Sequence, residues 1–165
     1  AHMFILKKKY FLIIESIKDI ELKKIKKGNK FIIIYRNLGK QEDVAKLKHF
    51  RKKCKLKTVK FFVANNMELA VKLNSDGIYL SSKNYSYKPL NLKRLNYEII
   101  GSAHNYLEIQ TKRKQGCNII LFPRLFRVTY KPQMTFLGVN KFNQFSLRSI
   151  LTLVPLGGIL SLIHI

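Results

Sequence analysis

Cysteine is scarce in this sequence, and the scarcity excludes two kinds of small protein. The 165 residues contain two cysteines, Cys54 and Cys117, which are too few for a disulfide framework. Neither belongs to a CxxC pair or to a Cys/His group spaced for zinc. Hydrophobic residues make up 47% of the chain, which is enough to form a buried core. We therefore predict an ordered, cytoplasmic protein without a metal centre of its own.

The sequence also lacks an ordinary secretion signal and an uninterrupted membrane span. Residues 4–6 are apolar but precede three lysines, the reverse of the charge order in a signal peptide. Residues 149–165 carry no formal charge, yet a membrane-spanning helix needs about 20 apolar residues. Pro155 and the pair Gly157-Gly158 interrupt this run. We predict a buried strand followed by a glycine turn there, with a membrane anchor as the alternative.

Acidic residues are few, so the chain is strongly basic. Thirty-two Lys and Arg stand against nine Asp and Glu, which gives a formal charge of +23. Such a charge is typical of nucleic-acid binding. However, most of the basic residues are lysines, whereas arginine is the residue that binds phosphates and bases bidentately. The lysines are also dispersed along the chain, with Lys112–Lys114 as one short run. We predict a solvated basic surface, and keep nucleic acid or anionic lipid as the alternative partner.

Short apolar runs recur along the chain, and polar segments with helical spacing separate them. The runs predict seven strands, at 10–14, 31–35, 59–63, 77–80, 98–101, 118–122 and near 151–156. The spacing between them predicts helices at 17–27, 41–53, 67–74, 105–115 and around 143–149. Long loops are expected at 81–92 and 123–140.

Apolar strands that alternate with helices indicate a parallel sheet with crossover connections. Seven such units favour an α/β fold of the TIM (β/α) barrel type, which usually takes about 250 residues. We therefore expect one barrel domain over residues 4–165 that is truncated after strand seven. An open strand edge would then favour pairing with a second copy of the chain. Residues 1–3, Ala-His-Met, are interpreted as a tag-cleavage scar.

Five motifs in order resemble those of the thiamine phosphate synthase/TenI family. The first is Val63-Ala-Asn-Asn66 followed by a stretch that ends in Ser75-Asp-Gly-Ile-Tyr-Leu80. The next are Gly101-Ser-Ala-His104, similar to the family's Gly-x-Ser-x-His, and Pro123-Arg-Leu-Phe126. Leu137-Gly138 and Val154-Pro-Leu-Gly-Gly-Ile159 complete the series. The resemblance covers residues 10–159, nearly the whole chain.

The resemblance implies a TIM barrel with one of two activities. Synthase members of the family join a pyrimidine pyrophosphate to a thiazole phosphate and release pyrophosphate with the help of magnesium. TenI-type members aromatise the thiazole phosphate or lack a known reaction. The natural ligand expected from the resemblance is therefore a small phosphorylated molecule.

Several residues match positions that the family uses at its site. Arg36 matches the arginine of the family's Gln-Leu-Arg and is expected to hold a pyrophosphate oxygen. His104 matches the histidine that acts as acid and base in TenI-type aromatisation, so His104 and Arg36 are the catalytic candidates. The remaining binding candidates, which follow from the family's strand ends and phosphate loops, are Asn65, Asn66, Asn84, Ser102, Thr129, Lys131, Gly157 and Gly158.

Other family positions are substituted. Ile34 stands where the family has the glutamine that recognises the pyrimidine. Asn66 replaces one magnesium-binding aspartate, and Ser81-Ser-Lys-Asn84 replaces the stretch that holds the second. Magnesium prefers anionic oxygens, and neutral amides beside a lysine are poor ligands. The magnesium that the family uses is therefore expected to lack its ligands here, and no metal-binding residue is predicted.

Three functions follow from these observations. The first is a divergent member of the family that binds a thiazole phosphate or a similar ligand, either as a synthase or as a tautomerase. The second is a catalytically inactive barrel that keeps only the scaffold. The third is a basic module that binds nucleic acid, which would show affinity that falls steeply with salt.

Overall fold

The structure is a computed structural model that describes the backbone of residues 2–6, 9–39, 42–122 and 152–155, with side chains for 9–39 and 42–122. The chain divides into two compact units. The first consists of Ala1–Tyr79 and Asn91–Glu98, and the second of Leu80–Leu90 and Ile99–Ile165.

The first unit is built on strands that run parallel. Strands β2 (Lys9–Ile14), β3 (Phe31–Tyr35), β4 (Lys60–Ala64) and β5 (Gly77–Leu80) pair in chain order. An additional strand, β1 (His2–Leu6), pairs antiparallel with β2. The sequence did not predict β1, because residues 1–3 were interpreted as a tag scar. The other four strands confirm the predicted apolar runs.

Three helices belong to this part of the chain. They are α1 (Val44–Leu56), α2 (Met67–Lys72) and the short α3 (Leu90–Lys93). Both α1 and α2 confirm predicted helices, whereas α3 lies at the end of a segment predicted to be a loop. The core is made by one face of the strands and the helices packed on it, with Tyr35 stacked on Phe61.

The helix predicted at 17–27 is wrong. The structure has separate 3₁₀ turns at Ile17–Asp19, Leu22–Lys24 and Gly28–Lys30. Ile20 and Ile25 between them are extended, with φ of −141° and −81°. Isoleucine loses side-chain freedom in a helix because it is branched at Cβ. The apolar spacing was real, since Leu22 and Ile25 are buried, but it anchors turns rather than a helix.

The second unit has the same alternation. Strands β6 (Glu98–Ser102), β7 (Ile119–Phe122) and β8 (Thr152–Pro155) pair in parallel. Helix α4 (Tyr106–Lys114) connects β6 to β7. These elements confirm the predictions for 98–101, 105–115, 118–122 and the strand near 151–156. The predicted loop at 123–140 and the helix at 143–149 lie outside the described residues.

Strands β3 to β7 are buried along almost their full length. Parallel strands covered on both faces require continuous apolar runs rather than alternating ones, which explains why the runs were visible in the sequence. Among the residues that the structure describes, no helix is long and apolar enough to cross a membrane.

Candidate functional site

Arg36 directly follows β3, where the first unit presents the carboxyl ends of its strands. Its backbone N–H donates to the Ile14 carbonyl at 2.8 Å. Its guanidinium Nη2 lies 3.1 Å from Oε1 of Glu15, which follows β2. Arg36 Nε is buried and has no hydrogen-bond partner among the described residues. One nitrogen of this predicted anion-binding arginine is therefore paired with Glu15, and another has no hydrogen-bond partner among the described residues.

Glu15 was not among the residues predicted for the site. Its position carried the signal, because it follows β2 as Arg36 follows β3, and the carboxyl ends of parallel strands lie at one edge. An acidic side chain there is the natural partner of the arginine. The exposure of both side chains, 38% and 39%, leaves the pair open to competition from a ligand anion.

A second polar pair lies beside Arg36. The Tyr35 hydroxyl and Oε2 of Glu42 are both buried without a hydrogen bond among the described residues. Burial, and secondarily the Glu42 carboxylate, raises the pKa of Tyr35 far above its usual value, so its hydroxyl stays protonated. The other oxygen of Glu42 accepts hydrogen bonds from the Ser16 hydroxyl and the Ile17 N–H. Glu42 thereby ties the loop after β3 to the loop after β2.

A cavity of about 270 Å³ opens at the ends of β3 and β4. Of the predicted binding residues, Asn66 lines it. The complete lining, all of it from the first unit, is Tyr35, Asn37, Gly39, Val63, Ala64, Asn66 and Leu69.

Asn65 and Asn66 both have structural roles at the end of β4. Asn65 adopts a positive φ of 59°, a conformation that asparagine tolerates better than most residues, and its N–H donates to the Tyr79 carbonyl at 2.8 Å. The Asn66 Oδ1 accepts from the Leu69 N–H at 2.9 Å and caps helix α2. The structure therefore places Asn66 at the predicted edge but engages its oxygen in the helix cap.

The positions that would hold magnesium do not fit that ion. The Asn84 Oδ1 accepts from the Ser86 N–H at 3.0 Å, so it is occupied by the backbone in the same way as the Asn66 oxygen. Both are neutral amides, whereas magnesium prefers carboxylate and phosphate oxygens. Within the described residues no group of three or more His, Cys, Asp and Glu is arranged to hold a metal ion.

His104 and Glu108 form a pair in the second unit. His104 lies just beyond β6, and Asn105 caps α4 by accepting from the Glu108 N–H at 2.9 Å. The Glu108 Oε2 accepts from the His104 backbone N–H at 2.6 Å and lies 3.2 Å from the imidazole Nδ1. The helix start therefore fixes both the backbone and the ring of His104. Glu108 was not predicted, although an acidic residue three positions after a capping asparagine is a recognisable signal.

Ser102, the other candidate of this unit, is buried at the end of β6. It pairs in register with Leu121, and the next N–H, that of Ala103, donates to the Leu121 carbonyl at 3.0 Å. The structure thus places both Ser102 and His104 at the carboxyl end of one strand, as the Gly-x-Ser-x-His resemblance predicted.

Lys112 was predicted to belong to a solvated basic surface, and that is wrong. It is fully buried, and its Nζ donates to the Asn84 carbonyl at 2.6 Å and to Gln115 Oε1 at 2.9 Å. Gln115 Nε2 also donates to the Asn84 and Ser86 carbonyls. The candidate Asn84 therefore serves as the point at which the loop after β5 is anchored to α4. The helical spacing of Lys112 from buried Ile109 was the available signal that Lys112 is buried.

The remaining candidates, Thr129, Lys131, Gly157 and Gly158, lie outside the described residues. Their roles in phosphate binding stay predictions.

Comparison with known proteins gives a consistent result. The family model described as thiamine monophosphate synthase matches residues 4–161. A thiamine-phosphate synthase from Prochlorococcus marinus is 28% identical over 117 residues, which are 70% of this chain and 34% of the relative. The chain thus spans about a third of the length of that curated relative.

A solved structure extends the comparison to the fold. The thiamine phosphate pyrophosphorylase from Pyrococcus furiosus matches with a TM-score of 0.66 at 17% identity, over 90% of this chain and 74% of the other. The likeness shows a shared α/β fold. Because the family model covers nearly the whole sequence, the chain belongs to the thiamine monophosphate synthase (TMP-TENI) family.

Proposed function

We propose that this chain binds a thiazole phosphate or a similar phosphorylated ligand and that His104 moves a proton on it. The observation that carries the proposal is the His104–Glu108 pair, in which one carboxylate oxygen lies 2.6 Å from the backbone nitrogen and 3.2 Å from Nδ1. A histidine whose ring is oriented by a carboxylate is a common arrangement for acid–base chemistry.

The hydrogen bond selects one form of the neutral imidazole. Since a carboxylate only accepts hydrogen bonds, the proton of the neutral imidazole stays on Nδ1, which donates a hydrogen bond to Glu108. The lone pair then resides on Nε2, the nitrogen turned away from Glu108, which serves as the base. After it takes a proton from one position of the ligand, the same nitrogen returns the proton to another, so the ligand is isomerised without a co-reactant.

The composition of the second unit makes this pair distinctive. Glu108 is the sole acidic residue between positions 99 and 165. Its carboxylate hydrogen-bonds to His104, and it acts on Lys112 of the same helix through charge without a direct ion pair. A carboxylate that only offset the high positive charge would face a lysine or an arginine. Its position against an imidazole favours a chemical role.

Proton transfer suits this chain better than the synthase reaction. Displacement of pyrophosphate needs a dication to neutralise developing charge, and the Asn66 and Asn84 positions do not fit one. Isomerisation by a histidine needs no such ion. The tautomerase-type activity is therefore the form of the family's chemistry that we propose.

The anionic part of the ligand requires donors. We propose that the exposed part of the Arg36 guanidinium, which is 38% exposed as a side chain, binds an anionic oxygen. From the family resemblance we assign phosphate contacts to Thr129, Lys131 and the Gly157-Gly158 turn, with Asn65 and Ser102 as polar neighbours of the ligand. A single barrel domain over 4–165 and pairing of two copies at an open strand edge remain predictions.

Calorimetric titration with thiazole phosphate, with and without magnesium and pyrophosphate, tests binding. We expect binding that does not require magnesium. His104→Asn should lower the rate of tautomerisation by about 10²–10⁴-fold with little change in affinity. Glu68→Gln, which changes an exposed acidic residue in the first turn of α2, is the matched control and should leave both unchanged.

The outcomes separate the proposed tautomerase from an inactive scaffold and from a synthase. Binding without turnover in the unmodified chain would identify an inactive scaffold. No binding at millimolar ligand would overturn the proposal. A magnesium requirement for binding would favour the synthase and contradict our interpretation of Asn66 and Asn84.

A further inference from the structure

A second cavity of the first unit is a groove on its outer surface, away from the strand ends. Its volume is about 890 Å³, and it lies between the β2–β3 connection and helix α1. The apolar part of its lining comprises Ile17, Ile20, Leu22, Ala45, Phe50 and Leu56. The groove is independent of the proposed reaction.

The groove exists because the β2–β3 connection is not an α-helix. A crossover between parallel strands is usually helical and covers the neighbouring helix. Here the 3₁₀ turns and the extended Ile20 and Ile25 form a thinner layer. One face of α1 is consequently left uncovered, and Leu56 is 77% exposed. A hydrogen bond from Lys57 Nζ to the Ile25 carbonyl, at 3.2 Å, joins the two walls.

The rim of the groove is positively charged. Five lysines contribute to the lining, namely Lys18, Lys23, Lys46, Lys53 and Lys57. The sole acidic lining residue is Glu21, which is paired with Lys24 at 3.1 Å. An apolar floor between lysines is complementary to a binding partner whose surface carries an apolar stripe flanked by carboxylates.

We propose that this groove binds an acidic amphipathic α-helix of a partner protein. One turn of an α-helix about 10 Å wide and 5.4 Å long occupies roughly 400 Å³, so the groove has the volume for about two turns. Helices bind such grooves through apolar residues at i, i+3, i+4 and i+7. Glutamates or aspartates beside that stripe would meet the lysines of the rim.

The floor favours a helix over nucleic acid. Single-stranded nucleic acid binds where exposed aromatic rings stack on bases between cationic side chains. Phe50 is buried, which leaves the imidazole of the exposed His49 as the one ring of the lining that a base could reach. The groove therefore offers aliphatic contacts and charge but only one small ring for stacking.

Fluorescence anisotropy with synthetic peptides tests the proposal. The probes are a panel of labelled 16-residue helices with leucines at i, i+3, i+4 and i+7 and glutamates on both flanks. A second panel carries lysines in place of the glutamates, and a third has the same composition in scrambled order. The full chain is titrated against each panel at two salt concentrations.

Three variants locate the binding. Lys46→Glu with Lys53→Glu reverses two exposed charges of the rim. Lys48→Glu with Lys52→Glu makes the same change on exposed positions of the same helix outside the groove. Leu56→Ser removes an apolar contact without altering charge. Circular dichroism confirms that each variant keeps its fold.

We expect at least one of the glutamate-flanked peptides to bind the chain with micromolar affinity. Both the rim variant and Leu56→Ser should weaken it at least tenfold, whereas the control pair should change it less than twofold. Failure of every acidic peptide to bind below 1 mM would overturn the proposal. So would binding that Leu56→Ser leaves intact, because charge alone would then explain it. Preference for a single-stranded RNA 20-mer or for phosphatidylserine vesicles, weakened by the rim variant, would identify a different partner.

Discussion

Each unit buries a basic side chain of one of its helices, Arg51 of α1 and Lys112 of α4, but the two side chains have different partners. In the first unit, Arg51 is 8% exposed, and its Nη2 binds Asp76 Oδ1 at 2.8 Å while Nε donates to the Asn74 carbonyl at 3.0 Å. In the second unit, Lys112 has no exposed surface and donates to a carbonyl and an amide oxygen. One cation has an anion beside it, and the other has neutral acceptors.

The distribution of acidic residues explains the difference. Eight of the nine Asp and Glu lie between positions 15 and 98, and Glu108 is the ninth. Because Glu108 is engaged by His104, the second unit has no further carboxylate to place against Lys112 within 99–165. Burial therefore lowers the pKa of Lys112, whereas arginine remains charged in proteins. A shortage of one residue type thus leaves Arg51 in a direct ion pair, whereas Lys112 has hydrogen bonds to neutral acceptors and only the more distant charge of Glu108.

Removing the anion of the first unit should have the largest effect on stability. Asp76→Ala leaves Arg51 unpaired and also removes the acceptor of the Phe61 N–H, which lies 2.7 Å from Oδ2. We expect a loss of about 3–5 kcal/mol in the free energy of unfolding, because the variant breaks a partly buried pair and also leaves a buried backbone N–H without its acceptor. Urea unfolding measures it. Glu21→Ala, which breaks an exposed pair with Lys24, should cost about 0.5 kcal/mol. Equal losses in the two variants would contradict the comparison.

A glycine in β5 and a glycine in β6 should also distinguish the units. A Cβ at Gly77 would lie 2.1 Å from the Glu98 carbonyl oxygen, which is backbone and cannot move aside. A Cβ at Gly101 would meet Lys112 Cδ at 2.9 Å and Cys117 Sγ at 2.8 Å, which are side chains. Overpacking costs about 1–3 kcal/mol, and we expect Gly77→Ala at or above the top of that range and Gly101→Ala nearer the bottom. Thermal unfolding ranks them, and the reverse order would be inconsistent with this account.

The elements of the fold were largely predictable, because strands buried on both faces leave continuous apolar runs in the sequence. The exception was the connection after β2, where Ile20 and Ile25 have helical spacing but extended backbones. Spacing shows which residues are buried, and it does not distinguish one helix from a series of turns that bury the same residues. Strand β1 was missed because two of its five residues, His2 and Met3, were attributed to a tag.

The site was predictable in position and less so in role. Arg36, Asn65, Asn66, Ser102 and His104 all lie at carboxyl ends of strands, as expected from the family motifs. What each polar atom binds depends on neighbours distant in sequence, and these cannot be identified from motifs. The structure was needed to show which side-chain oxygens accept hydrogen bonds from the backbone. It was also needed to show that Lys112, although part of a charged run, is buried.

Titration of Lys112 should make the stability of the two units differ in pH dependence. Its pKa is lowered from 10.5 by burial, so between the lowered value and 10.5 the unfolded chain binds more protons than the folded one. Stability from this group therefore rises with pH across that window. Lys112→Met should cost about 1 kcal/mol near neutral pH and lose this rise. Urea unfolding across the window measures both, with exposed Lys114→Met as the control. Parallel profiles for the native chain and Lys112→Met would show that burial does not affect the charge.

A small change in stability is expected from Glu108→Gln, yet this variant tests whether the one acidic side chain of the second unit serves His104. The glutamine oxygen can still accept the hydrogen bond from the His104 N–H at the start of α4, so we expect a loss of about 0.5–1 kcal/mol in the free energy of unfolding. Its amide can donate as well as accept, so the proton is no longer held on Nδ1. Nitrogen-15 NMR of the imidazole, assigned with His104→Asn, should show one dominant tautomer in the native chain and a mixture in Glu108→Gln. Because a neutral hydrogen bond is weaker than a charge-assisted one, turnover of a thiazole phosphate should fall about tenfold, equivalent to about 1.4 kcal/mol. If the tautomer is unchanged while stability falls, Glu108 is only a helix cap, and its proximity to His104 has no chemical role.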